Sequence, residues 1–136
     1  MLSQTAEYAL RAVLYIAQHG DRLVQVGEMA QALRIPRNYL SKIVHVLARD
    51  GVLESTRGKA GGFRLAKAPD RLHVVQVVSP FDRLDEVRHC LLGRPQCSDR
   101  TACAAHTRWK EVAERVAEFF RETTVAELLL GSAVPV

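Results

Sequence analysis

The stretch IPRNYLSKIVHVLARDG, residues 35–51, decides how the rest of the chain is read. Leu40, Ile43, Val44 and Leu47 recur at steps of three and four, which lines one face of an α-helix with apolar side chains. Asn38, Ser41, Lys42, His45 and Arg49 fall on the opposite face. Pro36 pushes Ile35 out of helical geometry, so the helix begins at Arg37, and Gly51 stops it after Asp50. A helix with one apolar and one polar, cationic face can pack on a core while its other side enters a DNA major groove.

Working outward toward the N-terminus, residues 27–33 read as a short helix joined to the first by the turn Arg34-Ile35-Pro36. Residues 4–18 form a further helix, with Ala6, Ala9, Leu10, Val13 and Ala17 on one side and Glu7 and Arg11 one turn apart on the other. Toward the C-terminus, short strands near 52–56 and 63–65 flank Gly58-Lys59-Ala60-Gly61-Gly62, a loop able to bend tightly against another backbone. Helix, turn, helix and a basic hairpin is the order of a winged helix-turn-helix. The expected fold is therefore mainly α, with a small β-hairpin wing and a long C-terminal helix.

Arg37, Asn38, Ser41, Lys42, His45 and Arg49 become candidates for contacting bases and phosphates. Arg57 and Lys59 on the hairpin are candidates for a neighbouring phosphate or the minor groove. Tyr39 has two readings: it packs beside Leu40, or its hydroxyl meets a phosphate.

Beyond Pro69-Asp70, residues 73–78 read as a strand entry followed by a helix, and residues 82–102 as an irregular loop. Residues 102–123 are helical, with Trp109, Val112, Val116 and Phe119 marking one face. A last helix over 124–130 starts at Thr124 with Glu127 three residues on, the pattern of a capping box. The organisation is thus a DNA-binding region over 1–80, a cysteine-containing loop over 81–103, and a dimerisation helix with the C-terminal segment over 104–136.

Bulk properties agree with this outline. A chain of 136 residues with 48% hydrophobic and 25% charged residues suits one folded domain. No apolar run approaches the roughly 18 residues that span a bilayer. The first apolar segment carries Glu7 and Arg11 and lacks a basic lead-in, so a cytoplasmic protein is expected. The net charge is +4, but Arg34 to Lys67 holds eight cationic residues against two anionic ones. That segment is +6 and the remainder −2, which suits a polyanion at one surface and also an ordinary solvated basic face. No Ser-His-Asp order, Cys-x-x-Cys pair, phosphate-loop glycines or paired catalytic carboxylates stand out, so an enzyme is not expected. A winged protein-interaction module without DNA is the other alternative.

The three cysteines follow the pattern Cys90-x6-Cys97-x5-Cys103-x2-His106. An odd, clustered set argues against a disulfide framework. Thiolates bind iron–sulfur clusters and imidazole can replace one of them. Cys103 and His106 fall one helical turn apart, and Gly93 and Pro95 give the preceding loop slack. Structural zinc is a second reading, although its ligands usually come in closer pairs. Thiol chemistry is a third, since a helix N-terminus lowers a thiol pKa.

Several stretches together carry a resemblance: Ala9-Leu10-Arg11, residues 35–40, the wing from Thr56 to Phe63, the three cysteines, and Thr124-Val125-Ala126-Glu127-Leu128. In combination, from the N-terminus to about Leu129, the chain resembles the Rrf-type family of bacterial winged helix-turn-helix regulators. That family includes iron–sulfur cluster regulators and nitric-oxide sensors. The resemblance implies a homodimer in which the helix over 102–123 crosses its partner. It also implies a double-stranded DNA operator contacted by Asn38, Tyr39, Ser41, Lys42 and Arg57. Ser41 stands where a family member has an acidic residue, so the operator sequence does not carry over. The implied cofactor is an iron–sulfur cluster: [2Fe–2S] on Cys90, Cys97, Cys103 and His106, or [4Fe–4S] with Glu7 of the partner subunit as fourth ligand. The implied activity is a repressor whose operator affinity follows redox, nitric-oxide or iron–sulfur status.

Overall fold

The computed structural model describes residues 2–84, 91–92, 100 and 102–130. Its elements run α1 (Gln4–Gln18), α2 (Val26–Leu33), α3 (Arg37–Arg49), β1 (Leu53–Thr56), β2 (Gly62–Leu65), a 3-10 turn (Pro69–Arg71), α4 (Val74–Val78), α5 (His106–Glu122) and α6 (Val125–Leu128). Among the described residues no helix is long and apolar enough to cross a membrane.

Helix α1 is the centre of the packing. Ala6, Ala9 and Ala12 are fully buried, and Val13, Leu14 and Ile16 are buried with them. The burial wraps further round the helix than one apolar stripe because α2, α3, α4, α6 and β2 all pack on it. Ser3 caps its start by accepting from the Ala6 N–H at 3.1 Å. Leu40, Ile43, Val44 and Leu47 of α3 join the same core, as the spacing predicts.

The hairpin is antiparallel, in the register Leu53↔Leu65 to Thr56↔Gly62. The linker from α1 to α2 extends it, because Val24 and Phe63 exchange two N–H···O bonds of 2.8 Å. Two glycines make the close approach possible. A β-carbon at Gly62, which has φ +148°, would lie 2.7 Å from the Val24 carbonyl oxygen, and one at Gly61 would lie 2.0 Å from that of Thr56.

The C-terminal elements fold back onto this frame. His73 bridges Thr124 before α4 begins, with Val74 N–H donating to Thr123 O at 2.9 Å and Val125 N–H to Leu72 O at 2.8 Å. Of the strand entry and helix expected over 73–78, the helix is present from Val74, and the strand entry is reduced to the single-residue bridge at His73. Phe120 of α5 packs with Ala6, Val74 and Val78, and Val125 enters the main core. Thr124 and Glu127 form the expected capping box, with bonds of 3.2 and 3.0 Å.

One expectation about α5 needs correction. The helix starts at His106 and not at 102, because the chain first makes a tight turn in which the His106 N–H donates to Cys103 O at 3.0 Å. Its core-facing residues are Ala113, Ala117 and Phe120, one position on from Val112, Val116 and Phe119. Val112 and Phe119 are about half exposed, at 50% and 52%. The helix carries two apolar stripes: its own chain covers one and, on the other, packs Val116 against the Phe120 cluster while leaving Val112 and Phe119 open.

Candidate functional site

Asn38, Lys42, His45 and Arg49 are exposed along α3, opposite its buried stripe, while Ser41 is half-buried. Arg37 is exposed at the start of the helix and its guanidinium lies over Gly27, where a β-carbon would sit 3.7 Å from Cζ. The first turn of α2 and the first residue of α3 are therefore in contact through an arginine.

The wing stands beside this face and is held there by three separate contacts. One is the Val24–Phe63 bridge. The second is Gln25, whose Nε2 donates to the Lys59 carbonyl at 2.8 Å. The third is His45, whose ring meets Phe63 edge-on at 5.5 Å and 83°. Nδ1 of His45 donates to the Ser41 carbonyl at 2.6 Å. A cleft of about 390 Å³ lies between α2, α3 and the hairpin, with Arg37, His45 and Arg57 among its lining residues. Arg64 is paired with Glu54 across the strands at 2.9 Å, while Arg57 and Lys59 are exposed at the tip.

Tyr39 is tied to α1. Its hydroxyl hydrogen-bonds Thr5 Oγ1, and its ring meets Tyr8 edge-on at 5.7 Å. Arg11 lies over the Tyr8 ring at 5.6 Å and donates to the Leu33 carbonyl at 2.5 Å. This chain of contacts fixes the entry of α3 against the first two helices. Residues 34 positions apart meet here, and no local sequence pattern signals it.

A second polar cluster joins the end of α1 to α2. Glu28 receives Arg22 through two bonds of 3.0 and 2.8 Å and the Tyr15 hydroxyl at 2.7 Å. Hydrogen bonding from Arg22, then from Tyr15, lowers the Glu28 carboxyl from 4.5 to about 2. The bond to Glu28, with some burial, raises the Tyr15 phenol.

Of the sensing candidates, Cys90 and Cys97 lie outside the described residues, as does His89. Cys103 is half-buried just before α5 and His106 is buried in its first turn, 9% exposed. Glu7 is exposed in the first turn of α1. Among the described residues no three His, Cys, Asp or Glu side chains gather round a common point. A thiol and an imidazole one turn apart are nevertheless the donor chemistry an iron–sulfur cluster uses. Beside them, Leu91, Trp109 and Val112 line an apolar groove of about 410 Å³.

Residues 2–130 match the family model Rrf2, described as an iron-dependent transcriptional regulator. An HTH-type transcriptional regulator of Aquifex aeolicus is 37% identical over 131 residues, covering 95% of this chain and 91% of that protein. The HTH-type transcriptional regulator IscR of Erwinia tasmaniensis is 30% identical over 129 residues, covering 94% and 78%. Among solved structures, CymR, the global cysteine regulator of B. subtilis, superposes with a TM-score of 0.81 at 21% identity over 98% of both chains. T. potens IscR superposes with a TM-score of 0.74 at 23% identity, covering 95% of this chain and 85% of that one. The structural likenesses establish the winged helical fold.

Proposed function

From the premise that this chain belongs to the Rrf2 family, DNA-binding transcriptional regulators and not enzymes, we propose that it is a homodimeric repressor reading its operator with α3 and the wing. One observation carries the reading. The exposed face of α3 holds Asn38, Lys42, His45 and Arg49, and the basic tip with Arg57 and Lys59 is pinned beside it by the Val24 bridge and Gln25. Major-groove reading by the helix and a phosphate or minor-groove contact by the tip follow from that arrangement. Ser41 and Arg37 belong to the same surface, and Tyr39 contributes by fixing the helix entry. The exposed stripe of α5, Val112 and Phe119, is the face offered to a second copy.

Control of affinity comes from an iron–sulfur cluster held by Cys90, Cys97, Cys103 and His106. The iron-dependent description of the family and the thiol–imidazole pair at α5 support this reading. A bound cluster would supply an oxidisable iron centre at the start of that helix.

Two measurements test these readings. Binding to promoter-length duplexes should weaken steeply between about 50 and 200 mM salt, because phosphate contacts release counterions. A flat response points to a protein-interaction module instead. Protein purified without oxygen should show visible absorption and bound iron, both lost when Cys90, Cys97 and Cys103 are replaced together by alanine. Iron retained by that variant sinks the cluster assignment; colourless, iron-free wild type favours thiol sensing. Comparing His106→Ala with Glu7→Ala identifies the fourth ligand.

A further inference from the structure

We infer that His45 reads a base edge through Nε2, and that protonation of this nitrogen changes which base it selects. The inference rests on α3 lying in the major groove, as proposed above, and deepens that reading to one atom.

The imidazole is oriented by two contacts on different elements. Nδ1 lies 2.6 Å from the Ser41 carbonyl oxygen. A carbonyl oxygen can only accept, so the hydrogen sits on Nδ1 in both charge states of the ring. On β2, Phe63 is buried and holds the ring edge-on at 5.5 Å. Phe63 is itself locked by its two bonds to Val24. The ring is exposed and lines the cleft between helix and wing, and the nitrogen left to titrate is Nε2.

That assignment has a chemical consequence. Neutral, Nε2 is a hydrogen-bond acceptor and matches the amino groups of adenine or cytosine in the major groove. Protonated, it is a donor and matches guanine O6 and N7 or thymine O4. Imidazole is the side chain whose charge changes between about pH 5 and 8. The charges around it are Arg37, Lys42 and Arg49 on its own helix and Arg57 on the wing. The hairpin's Arg64 and Glu54 are closed on each other, Arg49 lies 3.9 Å from Asp50, and Glu28 on α2 is held by Arg22 and Tyr15.

The test selects bound duplexes from a pool of double-stranded DNA with a randomised core, using the full chain at pH 7.8 and pH 5.8. The wild type should enrich one motif at both values. At one position in each half-site, preference should move from adenine or cytosine to guanine or thymine, by roughly five- to tenfold. His45→Gln offers an acceptor and a donor but does not titrate, so its motif should be the same at both pH values. A wild-type motif that does not change with pH overturns the assignment while leaving DNA reading by α3 intact. So does a shift that persists in His45→Gln, or an affinity gain spread evenly over all sequences, which is the mark of a phosphate contact. Failure to enrich any motif at either pH overturns the DNA-reading proposal and this one with it.

Discussion

Helices α3 and α5 are both amphipathic, yet they leave opposite kinds of surface to the outside. In α3 one apolar stripe is wholly covered, with Leu40, Val44 and Leu47 at 0% exposure, and the remaining face is polar and cationic. In α5 the chain covers Ala113, Ala117 and Phe120 but leaves Val112 and Phe119 half exposed on a neighbouring face. A polar face next to a basic hairpin suits a polyanion, while an apolar face suits another protein surface. The proposed function draws on that difference, with DNA at α3 and a second copy of the chain at α5.

The strongest way to break this comparison is to charge the exposed stripe of α5. Val112→Glu with Phe119→Glu should leave the fold intact, since neither side chain is buried, but should prevent dimerisation. Losing the tethered second half-site should then lower operator affinity by roughly 10²- to 10⁴-fold. Sedimentation and DNA titration of the same sample read both effects. The neighbouring Phe120→Ala should behave differently, losing about 3–5 kcal/mol of folding stability because it empties a core position. A double-glutamate variant that remains dimeric and binds normally would show that α5 is not the interface.

The same contrast explains what could be read in the sequence. Helix α3 was legible because its apolar and polar residues alternate with a single phase, and Pro36 and Gly51 mark its ends. Helix α5 has two apolar stripes offset by one residue, so periodicity marks the helix but picks out the face that its own chain covers only in part. The wing was legible from its glycines, although the partner that requires Gly62, the Val24 backbone, was not. Contacts such as Gln25 with Lys59, Thr5 with Tyr39 and His45 with Phe63 join residues 18 to 34 positions apart. Such pairs arise from tertiary packing and leave no periodic trace. The cysteine spacing identified donor chemistry without fixing the positions of the donors.

A smaller effect tests the α3 side of the comparison. Arg57→Ala removes one cation from the exposed wing tip without touching the core. It should weaken DNA binding by about 1–3 kcal/mol if the side chain reads a base. If it meets only phosphate, binding should fall evenly across sequences and the salt slope should shrink by about one. Gln25→Ala should produce a milder version of the same loss, because it frees the Lys59 carbonyl and lets the tip move. Unchanged binding in both variants would remove the wing from the DNA-reading surface and leave α3 alone.

The smallest expected effect lies behind that surface, in the Glu28 clasp three residues after Gln25. The Glu28 carboxyl is held at about 2 in the folded chain, below its ordinary 4.5, by Arg22 and then Tyr15. A depressed carboxylate stabilises the fold where it is ionised in both folded and unfolded states, which is above about pH 5. That stabilisation is lost as pH falls from 4.5 toward 2. The Glu28 side chain is 37% exposed, so solvent screening limits the contribution to at most about 1 kcal/mol. Glu28→Gln should therefore melt slightly earlier than the wild type at pH 7, and the gap should close as the pH approaches 2. A gap that persists at low pH would mean that Glu28 acts through packing and not through its charge. In that case the start of α2, and the wing anchored beside it, would owe nothing to the ionised carboxylate.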